Sequence, residues 1–144
     1  MTADLGSADV RVLICDDYAP MRELLRWIIE ARSGLAVAGE AVDGHEAIAE
    51  ATRLQPDVIL LDLAMPRKTG LEALQEISRV APAARVVIFS GFSITSIGRE
   101  LVDLGAVSYL QKGASPDAII DAIEQAATNA TPATPLALGR KAGD

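Results

Sequence analysis

The chain has one cysteine, Cys15, so no intramolecular disulfide can form and packing alone must hold the fold, as in reducing compartments. Positive charge is scarce: 13 Lys and Arg face 20 Asp and Glu, a formal net charge of −7. That balance opposes the positive field a phosphate backbone attracts, so direct nucleic-acid binding by this chain is not expected. Apolar residues make up 50% of the sequence, yet no apolar run approaches the roughly 20 residues of a membrane helix. The N-terminal MTADLGS lacks the basic and apolar regions of a secretion signal. A cytoplasmic protein with no membrane partner is therefore expected. No internal repeat occurs, and 144 residues suit one domain of ordinary size. The only histidine, His45, sits between Gly44 and Glu46 at an expected helix start, where a solvated side chain fits better than a phosphorelay role.

What is present is an alternation of short β-branched runs and segments of helical period. In order these are Val10–Cys15, Pro20–Arg32, Leu35–Glu40, Gly44–Leu54, Val58–Asp62, Leu71–Val80, Val86–Ser90, Ile94–Leu104, Val107–Leu110 and Pro116–Ala127. Val58-Ile59-Leu60-Leu61 and Val86-Val87-Ile88-Phe89 are continuously apolar, as strands covered on both faces require. Five such βα pairs with right-handed crossovers make a doubly wound, three-layer α/β domain. In the first helix Met21, Leu24, Leu25, Ile28 and Ile29 form an apolar stripe, with Pro20 suited to its first turn and Gly34 to its C-terminal cap. Trp27 flanks that stripe, as core edge or as a partner contact. Ser115 and Pro116 open the last helix, which buries Ile119, Ile120 and Ile123. Cys15, within a strand, is expected to be a buried and inert thiol. Residues 1–8 are expected to be a disordered N-terminus. Residues 128–144, rich in Pro, Thr and Ala, are expected to be a flexible tail or a truncated linker.

In an open parallel sheet, ligands bind beyond the carboxyl ends of the strands. The first strand ends at Asp16-Asp17, the third at Asp62 and the fourth at Ser90, and Lys112 follows the last. Three converging carboxylates repel one another unless a cation neutralises them, and an all-oxygen donor set suits Mg²⁺. Such a site can carry phosphoryl transfer, with a carboxylate attacking while a lysine and a hydroxyl donate to the phosphoryl oxygens. A single Asp at a strand end is more often a cap or turn former. Five suitable residues at the same end of one sheet are harder to ascribe to chance.

Asp16-Asp17, Leu61-Asp62 through Met65-Pro66 with Gly70 beyond, Ser90-Gly91, and Gly105-Ala106 through Tyr109 to Lys112 resemble the motifs of response-regulator receiver domains. The match spans about residues 9–127. It implies a flavodoxin-like sheet of strand order 2-1-3-4-5, with helices on both faces. It further implies that Asp16, Asp17, Asp62 and the carbonyl of Ala64 hold Mg²⁺, and that Asp62 accepts the phosphoryl group. Ser90 and Lys112 would bind that group, and Ser90 and Tyr109 would form the switch. Without the resemblance, Tyr109 reads rather as a half-buried strand aromatic. Where many receivers have proline after the lysine, Lys112 is followed by Gly113, which resembles the subgroup usually fused to a helix-turn-helix output domain. Ala64 and Phe92 fall at positions expected to flank the phosphoryl group.

The implied function is a phosphoacceptor that serves a sensor histidine kinase and catalyses only its own phosphorylation and dephosphorylation. Its output would be a changed surface around the fourth helix, fifth strand and fifth helix, offered to a downstream protein or a second copy. The alternative is a phosphorylation-independent interaction or dimerisation module of the same fold, which loss of Asp62, Lys112 or the acidic pair would have favoured. An aspartate-nucleophile phosphatase of the haloacid dehalogenase type needs a second Asp two residues after the nucleophile. Both Asp16-Asp17-Tyr18 and Asp62-Leu63-Ala64 lack it.

Overall fold

A computed structural model describes residues 9–91 and 98–128. Five strands alternate with five helices: β1 Val10–Cys15, α1 Ala19–Glu30, β2 Leu35–Ala41, α2 Gly44–Leu54, β3 Val58–Leu61, α3 Gly70–Val80, β4 Arg85–Ser90, α4 Gly98–Asp103, β5 Ala106–Gln111 and α5 Pro116–Thr128. All pairings are parallel, in the order β2-β1-β3-β4-β5. This is the doubly wound, flavodoxin-like arrangement expected.

The apolar runs become strands because both faces of the sheet are covered. All four β3 residues are at most 1% exposed. Leu13, Cys15, Ile59, Leu61, Val86 and Ile88 pack one way, against Ala47 and Ala51 of α2 and Ala73, Leu74 and Ile77 of α3. Val12, Ile14, Val58, Leu60, Val87 and Phe89 pack the other way, against Leu25, Ile28 and Ile29 of α1 and Ile119, Ile120 and Ile123 of α5. A register shift at Val86/Val87 skips Val107 on β5. Tyr109 therefore joins the α2–α3 side with Ala106, whereas Val107 and Leu110 face α1 and α5.

Some expectations need correction. Trp27 is 72% exposed and Leu24 48% exposed, so neither belongs to the core. Consecutive helical residues lie about 100° apart, and Leu25 and Ile28 already occupy the buried line, which turns Leu24 and Trp27 outward. Gly34 has φ 93° but lies beyond the helix end, in the turn into β2. The C-cap is Ala31 in right-handed helical conformation, and Arg32 N–H bonds to Ile29 C=O in a tightened last turn. Thr128 is the last residue of α5 rather than the first of a tail. Ser115 caps α5 as expected, its hydroxyl accepting from Ala118 N–H at 3.1 Å. Among the expected segments, 1–8, 94–97 and 129–144 lie outside the described residues. Among the described residues, no helix is long and apolar enough to cross a membrane.

Candidate functional site

The sheet's sequence order reverses at β1, which runs between β2 and β3, and in open parallel sheets ligands bind at the carboxyl ends beside such a reversal. Asp16 follows β1 and is 1% exposed, and Asp62 follows β3 and is 3% exposed. The backbone ties the two strand ends together, Asp62 N–H donating to Cys15 C=O at 3.0 Å. Each aspartate spends one oxygen locally. Asp16 Oδ1 accepts from Tyr18 N–H at 2.9 Å, and Asp62 Oδ1 from Ala64 N–H at 3.1 Å. These Asx turns fix the carboxylates and leave both Oδ2 atoms free to meet a shared partner.

Lys112 meets them there. Its Nζ is 2.7 Å from Asp16 Oδ2 and 3.0 Å from Asp62 Oδ2. Only the contact to Asp62 has the angle of a hydrogen bond. Asp16 Oδ2, buried, has ionic contact but no hydrogen-bond donor. Lys112 is anchored through its own N–H on Ser90 C=O at 2.7 Å, and Ser90 is fully buried at the end of β4. Asp17, exposed, completes a group of three carboxylates whose ligating oxygens lie within 4.8 Å of one another.

Burial pushes the Asp62 carboxyl above its ordinary value, helped by Asp16 and only partly countered by Lys112 and the Ala64 N–H. Burial also disfavours the Lys112 ammonium, but the negative charges of Asp16 and Asp62 beside it prevail and raise its pKa, keeping it charged. Three carboxylates thus face one ammonium. The buried Asp16 oxygen, which accepts no hydrogen bond, and the all-oxygen donor set fit a hard divalent cation such as Mg²⁺.

Sequence reasoning named Asp16, Asp17, Asp62, Ser90 and Lys112, and the fold brings them to the carboxyl end of one sheet. Ala64 is exposed on the loop after Asp62. Tyr109, half-buried on β5, lies two residues before the strand's end and three before Lys112. Phe92 lies outside the described residues. Cys15 is buried and burial pushes its thiol pKa up, as an inert thiol requires; His45 is exposed. One support was missed, and a second, Gly70, was named only as part of the motif. Arg22 Nη1 donates to Asp16 C=O at 2.9 Å. Gly70 lies so close to Asp62 that a Cβ there would collide with its backbone carbonyl.

The family model of the response regulator receiver domain matches residues 12–124. The chain belongs to that family. It is 42% identical over 118 residues to the uncharacterized transcriptional regulatory protein YxjL of Bacillus subtilis, a match covering 82% of this chain and 54% of YxjL. It is 35% identical to the chemotaxis protein CheY of Thermotoga maritima, with 80% of this chain and 95% of CheY covered. The response regulator domain of Thermotoga maritima CheB superposes with a TM-score of 0.79 at 34% identity, covering 85% of this chain and 99% of that domain. The receiver thus matches about half the length of YxjL and nearly all of CheY. Receiver domains are signalling phosphoacceptors of two-component systems, and they generally bind Mg²⁺ at an acidic pocket.

Proposed function

We propose that this receiver accepts a phosphoryl group on Asp62, from the phosphohistidine of a sensor kinase, in a cytoplasmic two-component relay. The observation that carries this is the convergence of Asp16 Oδ2 and Asp62 Oδ2 on Lys112 Nζ, with each Oδ1 held by its own loop. One Asp62 oxygen is fixed and the other faces Lys112, from which it is released to act as the nucleophile.

Asp16, Asp17 and Asp62, with the backbone carbonyl of Ala64, would hold Mg²⁺. When bound, the ion neutralises the carboxylates and screens the incoming phosphoryl oxygens. Asp62 attacks phosphorus, the P–N bond to the donor imidazole breaks and its electron pair stays with the imidazole, leaving an acyl phosphate. Lys112, released from Asp62, donates to a phosphoryl oxygen, and the Ser90 hydroxyl donates to another. Each new bond draws the ends of β4 and β5 toward phosphorus. Tyr109, on β5, carries that movement to the α4–β5–α5 face, where a downstream protein or a second copy would bind. The chain acts on no separate substrate.

Intact-mass measurement after exposure to acetyl phosphate tests this. One phosphoryl group should be gained with Mg²⁺ and none in chelator, and Asp62→Asn should abolish the gain. Equal labelling of the Asn variant would remove Asp62 from the role.

A further inference from the structure

Two non-glycine residues among those described have left-handed backbone, Gln55 with φ 45° and Arg67 with φ 64°. Gln55 is the C-cap of α2, a place where this conformation is common. Arg67 lies inside the loop from Asp62 to α3. Lys68 N–H donates to Pro66 C=O at 2.6 Å and closes a three-residue turn on Arg67. A turn of that span at positive φ is rare and strained, and a side chain with a Cβ adds to the cost.

What opposes the strain lies across a narrow gap. Arg67 Nε donates to Asp43 Oδ2 at 2.6 Å. Asp43 is 5% exposed, and its Oδ1 accepts Glu46 N–H at 2.8 Å as the N-cap of α2. One carboxylate therefore joins the start of α2 to the loop after Asp62. The backbone adds a parallel tie, Gly44 N–H to Lys68 C=O at 2.7 Å, and a Cβ on Gly44 would collide with that carbonyl. At the loop's far end Gly70 N–H donates to Leu63 C=O at 3.0 Å. Between these ties runs the turn on which Ala64 N–H holds Asp62 Oδ1.

We propose that Arg67 is a positioning residue for the Asp62 site: its ion pair with Asp43 holds a left-handed turn that sets the path of the loop, and so places Ala64 against the Asp62 carboxylate. This rests on Asp62 being the phosphoacceptor that binds Mg²⁺ with its neighbours. The ion pair's part is conformational, so a residue that adopts positive φ without cost replaces it. Alanine keeps the steric cost and loses the tie, whereas glycine loses both.

The experiment compares wild type, Arg67→Ala and Arg67→Gly in two readouts. Calorimetric titration with Mg²⁺ should show affinity lowered about tenfold in the alanine variant, the scale of lost outer-shell support, and restored to within about twofold of wild type by glycine. Amide hydrogen exchange without metal should show the Gly44 N–H about tenfold less protected in the alanine variant and near wild type in the glycine variant. Two variants that match wild type in both readouts would make the Asp43 pair a surface contact only. Equal impairment in both variants would mean that the guanidinium acts on the site directly. If wild type itself binds no Mg²⁺, the role given to Asp62 falls, and amide exchange still decides the role of Arg67.

Discussion

Among the described residues, Lys112 carries the only positive charge paired with the carboxylates of Asp16 and Asp62, and its side chain is 24% exposed. Its pKa lies above the ordinary 10.5 because those two carboxylates outweigh the cost of burial. The stabilisation it provides is therefore complete below that value, and is lost only as the pH rises through the elevated one. Lys112→Met should destabilise the metal-free protein by about 3 kcal/mol at neutral pH, since two buried carboxylates lose their shared partner. Saturating Mg²⁺ should recover most of that. Chemical denaturation with and without the metal measures both effects, and a variant as stable as wild type without metal would contradict the charge balance described. The strand-end residues were legible in the sequence because an apolar run that stops at a carboxylate marks its own position. Arg67 was not legible: nothing in the letters around it signals positive φ when the occupant is an arginine, and its partner Asp43 lies 24 positions away.

Elements are joined by side chains as well as by the core. Glu40 on β2 binds Arg22 and Arg26 of α1 at 2.9 and 2.8 Å. Burial pushes the Glu40 carboxyl up, but the guanidiniums of Arg26 and Arg22 more than offset it and leave it below its ordinary 4.5. A depressed pKa gives stability that is present above 4.5 and lost as the pH falls through the lowered value. Glu40→Gln should thus cost about 1 kcal/mol at neutral pH, and the gap to wild type should close in strongly acid solution. Denaturant midpoints across that range test it, and a gap independent of pH would assign the loss to shape rather than charge. Strands β1, β3 and β4 could be read directly because burial on both faces leaves continuous apolar runs. Two helix starts carried a capping signal that was not used, Asp43 with Glu46 and Thr69 with Glu72; in each the first side chain accepts from the backbone N–H of the second. The irregularity of β5 was hidden, because a strict period of two places Tyr109 with Val107, and only the skipped residue in the pairing with β4 separates them.

At the scale of the whole molecule, two apolar layers cover opposite faces of one parallel sheet, and the acidic cluster lies at one end of it. Fold class and strand order followed from the alternation of elements and from the family motifs, whereas the outward turn of Leu24 and Trp27 depended on how much of α1 the sheet covers. A net charge of −7 and a cluster of three carboxylates would repel an anionic donor, so the proposed reaction at Asp62 is expected to depend on a cation. The most direct measurement identifies the carboxylate that carries the phosphoryl group. Protein labelled with acetyl phosphate and Mg²⁺ is reduced with borohydride, which converts an acyl phosphate to an alcohol, and its peptides are sequenced by mass spectrometry. Reduction at residue 62 and at no other aspartate is the predicted result, and reduction at Asp16 or Asp17, or at none of the three, would contradict it.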